Sequence, residues 1–420
     1  MNVNAKELVY AKHLTVSSNV WSKSNTGEAE FTFPSVEERI QFYMGSWYDF
    51  DLSSYYYNSE NNNNNNNNNV TTRNTKNVLT HENYNMNNNT IDISKLICDK
   101  SLRRGYANSR IVSHTLTIYP FDALLHRNEM PKHWTGDYLK DVTNVMTHSD
   151  TNVEQEYHDE KYVILSVGDA TFEDKTKPIV FKARKIMKSV DESFRPIIWP
   201  LRMNRHFHEP LNHLQMLVRD GDDTKWEDKK NVVHWRGSGD TGRPKGTRVK
   251  FAKKFGAMNE MYGMNIGLYA MSSISRRNCK LTSCTYCFKP QQDVKTMLQY
   301  KYLLSLEGND VATDLKWKLA SSSVVFMPEP VTESYMMESK LVPYVHYIPV
   351  KEDGSDLLKQ LQWAKDNDEK CKWISEQATK YMDKLYYSDQ AKKDYLFIRY
   401  RLATLYQEKF GKALAECYKS

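Results

Sequence analysis

A chain of 420 residues is long enough for two domains with sizeable cores. Its apolar share of 40% and aromatic share of 12% mark a folded protein rather than a disordered one. The net charge of +6 is mild and too dispersed to argue for nucleic acid on its own, so no nucleic-acid partner is expected; it suits a phosphate-bearing ligand.

The opening stretch, MNVNAKELVYAKHLTVSSNV, lacks the apolar core of a secretion signal. No stretch is long and apolar enough to span a membrane, so membrane association is expected only through a segment not evident in this chain. Residues 1–57 form an N-terminal extension, in which 36–48 (VEERIQFYMGSWY) reads as a short amphipathic helix able to pack on the main body. Residues 58–90 are an asparagine-rich insert, unbroken from Asn61 to Asn69. It has no apolar surface to bury and is expected to be disordered. Its two sequons, Asn69-Val70-Thr71 and Asn88-Asn89-Thr90, matter only in a secretory lumen.

Residues 91–225 make a first half. There 109–119 (SRIVSHTLTIY) alternates apolar and polar residues, a strand signal. The run 162–167 (YVILSV) is continuously apolar, as a buried parallel strand is, and Gly168-Asp169 falls at its carboxyl end. A further short strand is expected at 179–181. A partly desolvated carboxylate at Asp169 can act as general base on a hydroxyl; an Asx turn or helix cap is the plain alternative. Asp220-Gly221-Asp222 mimics an Asp-x-Asp metal motif, but the run RDGDDTKWEDKK around it reads as an exposed turn, and no metal is expected.

Residues 226–390 make a second half. A strand at 232–235 runs at once into WRGSGDTGRPKGTR (235–248) and a basic helix over 247–261. The glycines let a ligand approach the backbone. Arg236, Arg243, Lys245 and Arg248 add charge, and the helix N-terminus adds amide donors. Together they suit a diphosphate; a solvated basic turn is the alternative, and the spacing is not that of a Walker loop. Buried strands at 302–306 and 323–326 flank a helix near 314–320, and 344–348 reads as another strand. Gly308 follows the first of these, and Lys316 can reach a phosphate or simply snorkel to solvent. Glu333 and Glu338, after the second, can accept from ribose hydroxyls or pair with a helix terminus.

Cys279, Cys284 and Cys287 stand as C-x4-C-x2-C without a fourth zinc ligand nearby, which leaves buried thiols or one local disulfide. From residue 355 the pattern is helical, first through Leu357, Leu358 and Leu361, then through Ile374, Ala378, Tyr381, Met382 and Leu385. A last helix is expected over 396–410, within a C-terminal helical segment 391–420. Strands alternating with helices define an α/β protein with two Rossmann-like halves, and place a ligand cleft between them, outside the strand carboxyl ends.

The motifs WRGS (235–238), KYLLSLEGNDVATDLKWKL (301–319), SSVVF (322–326) and VPYVHYIPV (342–350) occur in one order that resembles glycosyltransferase family 90. This is the family of fungal capsule-associated xylosyltransferases and KDEL-motif protein O-glucosyltransferases. The likeness spans 161–387, and 315–350 is most similar to the lipopolysaccharide-modifying branch. It implies a GT-B fold and inverting, metal-independent transfer of xylose or glucose from a UDP-sugar to a hydroxyl of a protein or glycan, with no cofactor. It implies Asp169 as catalytic base and a donor-binding set of Arg236, Gly237, Ser238, Arg248, Gly308, Asp314, Leu315, Lys316 and Glu338. Lys316 stands where the family carries an arginine, so charge is kept and the bidentate fork is lost. Eukaryotic relatives work in the ER or Golgi lumen and bacterial ones in the cytosol. The alternative is a non-catalytic nucleotide- or glycan-binding relative.

Overall fold

The computed structural model describes residues 21–23, 29–49, 103–104, 116–120, 162–166, 178–186, 196–199, 224–239, 246–271, 273, 277, 280, 284–411 and 413–414. The asparagine-rich insert, Asp169, Asp220, Asp222 and Cys279 lie outside the described residues.

A short hairpin of β1 (Trp21–Lys23) and β2 (Ala29–Phe31) leads into α1 (Val36–Met44). A capping box starts α1: the Ser35 hydroxyl accepts from the Glu38 amide, and the Glu38 carboxylate accepts from the Ser35 amide. The apolar positions of α1 fall on one face, so Ile40, Tyr43 and Met44 are buried.

Two five-stranded sheets follow. The first is built from β3 (Arg103–Arg104), β4 (Leu116–Pro120), β5 (Tyr162–Ser166), β6 (Val180–Phe181) and, beyond β7 (Ala183–Lys185), β8 (Ile197–Ile198), in the order β3-β4-β5-β6-β8. The expectation for this half was a parallel sheet, and three of its four pairings are parallel. However, β4 and β5 run antiparallel. The alternating pattern around β4 accounts for this, since antiparallel strands carry alternation and buried parallel strands do not.

The second sheet is wholly parallel. It comprises β9 (Lys230–Ser238), β10 (Met264–Ala270), β11 (Tyr300–Leu304), β12 (Val324–Met327) and, beyond β13 (Thr332–Ser334), β14 (Ile348–Pro349). Its order is β10-β9-β11-β12-β14. Helix α2 (Thr247–Phe255) links β9 to β10, α3 (Val294–Met297) precedes β11, and α4 (Leu315–Ala320) links β11 to β12. The chain closes with α5 (Leu357–Asp366), α6 (Asp368–Met382) and α7 (Asp389–Tyr406).

Side chains of this sheet alternate between two cores because the strand repeat is two. Val232, Leu303 and Val325 face one core, which continues through α1, α6 and α7 to Ile164, Val180 and Ile197 of the first sheet. Val233, Tyr302, Leu304, Val324 and Phe326 face the other, under α2 and α5. Among the described residues, contacts between the two halves include the following. Strand β13 pairs antiparallel with β7. The Tyr406 hydroxyl of α7 accepts from the Ile164 amide and donates to the Pro178 carbonyl. Tyr43 of α1 donates to the Tyr335 carbonyl.

Cys284 and Cys287 form a disulfide, one of the alternatives left open by their spacing, and Cys371 is a buried free thiol. Among the described residues, no helix is long and apolar enough to cross a membrane.

Candidate active site

In the second sheet the chain leaves β9 toward β10 on one side and returns to β11 on the other. The carboxyl ends of β9 and β11 therefore flank a topological switch point, where open α/β sheets bind ligands. A cavity of about 620 Å³ opens at this carboxyl edge. Thr247 at the start of α2, Ser305 and Glu307 beyond β11, Leu315 of α4 and Glu338 line it, with Tyr344, Tyr347 and Gln360 on the side toward α5.

Arg248 spans the switch point. Its guanidinium donates to the carbonyls of Ser238 (3.4 Å), Leu306 (2.9 Å) and Glu307 (3.0 Å), and lies 5.9 Å from the centre of the Trp235 ring. Burial pulls its pKa below the ordinary arginine value, while Asp314 and other negative groups nearby oppose that shift. Gly246, in the left-handed region at φ 98°, turns the chain into α2. The cap residue Gly246 has no side chain to bond the first-turn amides of α2, and a helix N-terminus of this kind favours an anion.

The residues singled out from sequence divide into two groups. Ser238, Arg248, Gly308, Asp314, Leu315 and Glu338 come together around the carboxyl edge. The Asp314 carboxylate accepts from Ser305 Oγ (2.8 Å) and from the fully buried Lys318 ammonium (2.5 Å), which also donates to the Leu304 carbonyl (2.7 Å). Asp314 thus compensates a buried lysine and fixes the loop after β11. Glu338 accepts from the amide and hydroxyl of Ser334, and burial pushes its pKa up to about 7. Glu307, also on the cavity wall, is likewise pushed up to about 7 by burial.

Arg236 and Lys316 fall outside this group. Arg236 lies within β9, not in a loop after it, because β9 continues alongside β10 as far as Ser238. Its side chain turns back toward the start of β10, donating to Asn265 Oδ1 (2.8 Å), the Asn265 carbonyl (2.8 Å) and the Pro290 carbonyl (3.0 Å). Gly237 serves packing: a Cβ there would meet the Trp235 ring at 2.3 Å. Lys316 is buried with its ammonium 4.9 Å from the Tyr335 ring centre, and it does not line the cavity although its neighbour Leu315 does. Consecutive helical residues point about 100° apart, which separates the two. Glu307 escaped sequence reasoning. Its only local signal was a carboxylate beside a glycine just past a buried strand.

A parallel sheet of this order, with a cavity at the carboxyl edge beside the start of α2, has the layout in which open α/β folds bind ligands. Residues 207–408 match the family model described as "Glycosyl transferase family 90". Over 206 residues the chain is 45% identical to "O-glucosyltransferase LpsA" of Dichelobacter nodosus, covering 49% of this chain and 55% of that protein. It is 34% identical over 151 residues to "Protein O-glucosyltransferase 2" of Danio rerio, covering 36% of this chain and 28% of that one. A viral relative, "Uncharacterized protein 179R" of Invertebrate iridescent virus 6, is 36% identical over 104 residues, covering 23% of this chain and 9% of its own length. The chain thus spans about half the length of the first of these relatives and less of the other two.

Proposed function

We propose that this chain is an inverting glycosyltransferase of the GT-B type, which transfers glucose or xylose from a UDP-sugar to a hydroxyl of a protein or glycan. The observation that carries this reading is the cavity at the carboxyl edge of the second sheet, lined by Thr247 in the first turn of α2, with Arg248 beside it bonded to the Leu306 and Glu307 carbonyls. The family match and the O-glucosyltransferase relatives support the reaction class.

In the proposed reaction Asp169 takes the proton of the acceptor hydroxyl. The oxygen attacks the anomeric carbon as the bond to the UDP oxygen breaks, and the electron pair leaves with UDP, inverting the centre. Arg248 and the first-turn amides of α2 stabilise the charge that develops on the diphosphate, so no cation is required. Glu338 accepts from the ribose hydroxyls. Arg236 acts from behind, holding β9 against β10, and Lys316 contributes through the field of α4 rather than by direct contact. Removing a general base typically costs on the order of 10²-fold or more.

The test is UDP release from a panel of UDP-sugars in EDTA, comparing wild type with Asp169→Asn. Release from one donor, unaffected by EDTA and lost in the variant, is expected. Near-wild-type turnover by Asp169→Asn would remove the base from the mechanism. UDP binding without turnover of any donor, across protein and glycan acceptors, would favour the non-catalytic relative.

A further inference from the structure

Strand β13 has three residues, too few to be stable alone, yet it joins the cavity side of the second sheet to β7 beside the first. Charged side chains hold it along its whole length. At its start, the Glu307 carboxylate accepts from the amides of Val331 (3.0 Å) and Thr332 (3.2 Å). In its middle, Glu333 pairs with Arg184 of β7 at 2.8 Å. At its end, Glu338 accepts from the Ser334 amide (2.6 Å) and hydroxyl (2.7 Å).

Glu307 stands on the loop between β11 and α4. It follows β11 directly, lines the cavity, and offers its own carbonyl to Arg248. Three residues on, Asp310 makes a second link across, an ion pair of 2.9 Å with Lys182, which lies between β6 and β7. The loop 307–310 thus connects the first turn of α2 to β7 twice, once through β13 and once through Lys182. Glu338 and Asp310 lie close enough to oppose the Glu307 charge, while Arg248 both attracts it and bonds its backbone.

We propose that Glu307 is a positioning residue for sugar transfer: from the wall of the donor cavity its carboxylate fixes β13, and so holds the second sheet in register with the first. This rests on the reading of the cavity as the donor site. A carboxylate that accepts two main-chain amides leaves both unsatisfied when it is removed, which frees the strand it was holding.

The experiment compares wild type, Glu307→Ala and Glu307→Gln by amide hydrogen exchange over 331–334, by donor binding in calorimetry, and by steady-state transfer. Glu307→Ala should speed exchange of this segment by about tenfold or more and lower kcat by about tenfold, with donor KM changing by less than about threefold. Glu307→Gln keeps an acceptor oxygen and should restore most of both. If the alanine variant does not fold, Glu307→Asp, which withdraws the carboxylate by one methylene, carries the same expectation. Unchanged exchange in the alanine variant, or faster exchange with unchanged kcat, overturns the proposal while leaving the donor site in place. Wild-type protein that binds no UDP-sugar overturns both.

Discussion

Replacing Arg184 by methionine should destabilise the protein more than replacing its partner Glu333 by glutamine. Arg184 and Glu333 are both almost completely buried, with Nε to Oε1 at 2.8 Å. The guanidinium also donates to the carbonyls of Phe42 (2.6 Å), Pro196 (3.2 Å) and Tyr43 (3.4 Å), and its carbon lies 5.0 Å from the centre of the Phe42 ring. One side chain therefore joins α1, β7 and β13. Arg184→Met leaves a buried carboxylate whose remaining partner is the Ser339 hydroxyl at 2.6 Å, together with three carbonyls that lose a donor. Breaking a buried pair in this way costs about 3–5 kcal/mol. Glu333→Gln keeps an acceptor oxygen for Arg184 and leaves its three carbonyl bonds intact, so about 1–2 kcal/mol is expected. The double variant Arg184→Met/Glu333→Met removes both charges and should recover part of the loss. Urea unfolding of these four proteins at pH 7, together with Glu333→Met, gives the comparison and closes the cycle. Equal costs for the two single changes, or a loss under about 1 kcal/mol for Arg184→Met, would refute the buried three-way junction.

Two further changes probe the site itself. Gly237→Ala places a methyl group into the Trp235 ring and should cost about 1–3 kcal/mol in urea unfolding; a neutral result would mean that Trp235 does not lie over β9. Glu338 has its pKa raised from 4.5 to about 7 by burial, so the folded state binds its proton more tightly than the unfolded chain. That contribution to stability is full below about pH 4.5 and is lost as pH rises through 7. Glu338→Gln does not titrate, so its unfolding temperature relative to wild type should rise between pH 5 and pH 8, by the equivalent of up to about 3 kcal/mol. A difference that stays flat over this range would show that the carboxyl titrates as an exposed one.

The second sheet was legible because β11 and β12 are continuous apolar runs, which buried parallel strands require. The ends of β11 moved by two residues, from 302–306 to Tyr300–Leu304, and those of β12 by one, from 323–326 to Val324–Met327. Strand β10 gave no clear signal, since Asn265 and Gly267 interrupt its apolar residues. In the structure the Lys289 side chain packs where a Cβ of Gly267 would sit, at 2.7 Å. The same difficulty hid the length of β9. Glycines read as a loop, but Gly237 belongs to a strand because a tryptophan two residues earlier covers it. Lys316 and Leu315 were equal candidates in sequence, and only the rotation of a six-residue helix decides which one reaches the cavity. Glu307 could not be read as an anchor, because its partners Val331 and Thr332 lie far along the chain.

The proposed reading places a UDP-sugar at the carboxyl edge of the second sheet. Amide hydrogen exchange with and without UDP, in EDTA, tests it most directly. Slowing of about tenfold or more is expected over 246–249 and 305–308, with smaller protection near Glu338, Tyr344 and Gln360. Binding of UDP that leaves these segments unchanged, or no binding at all, would contradict it.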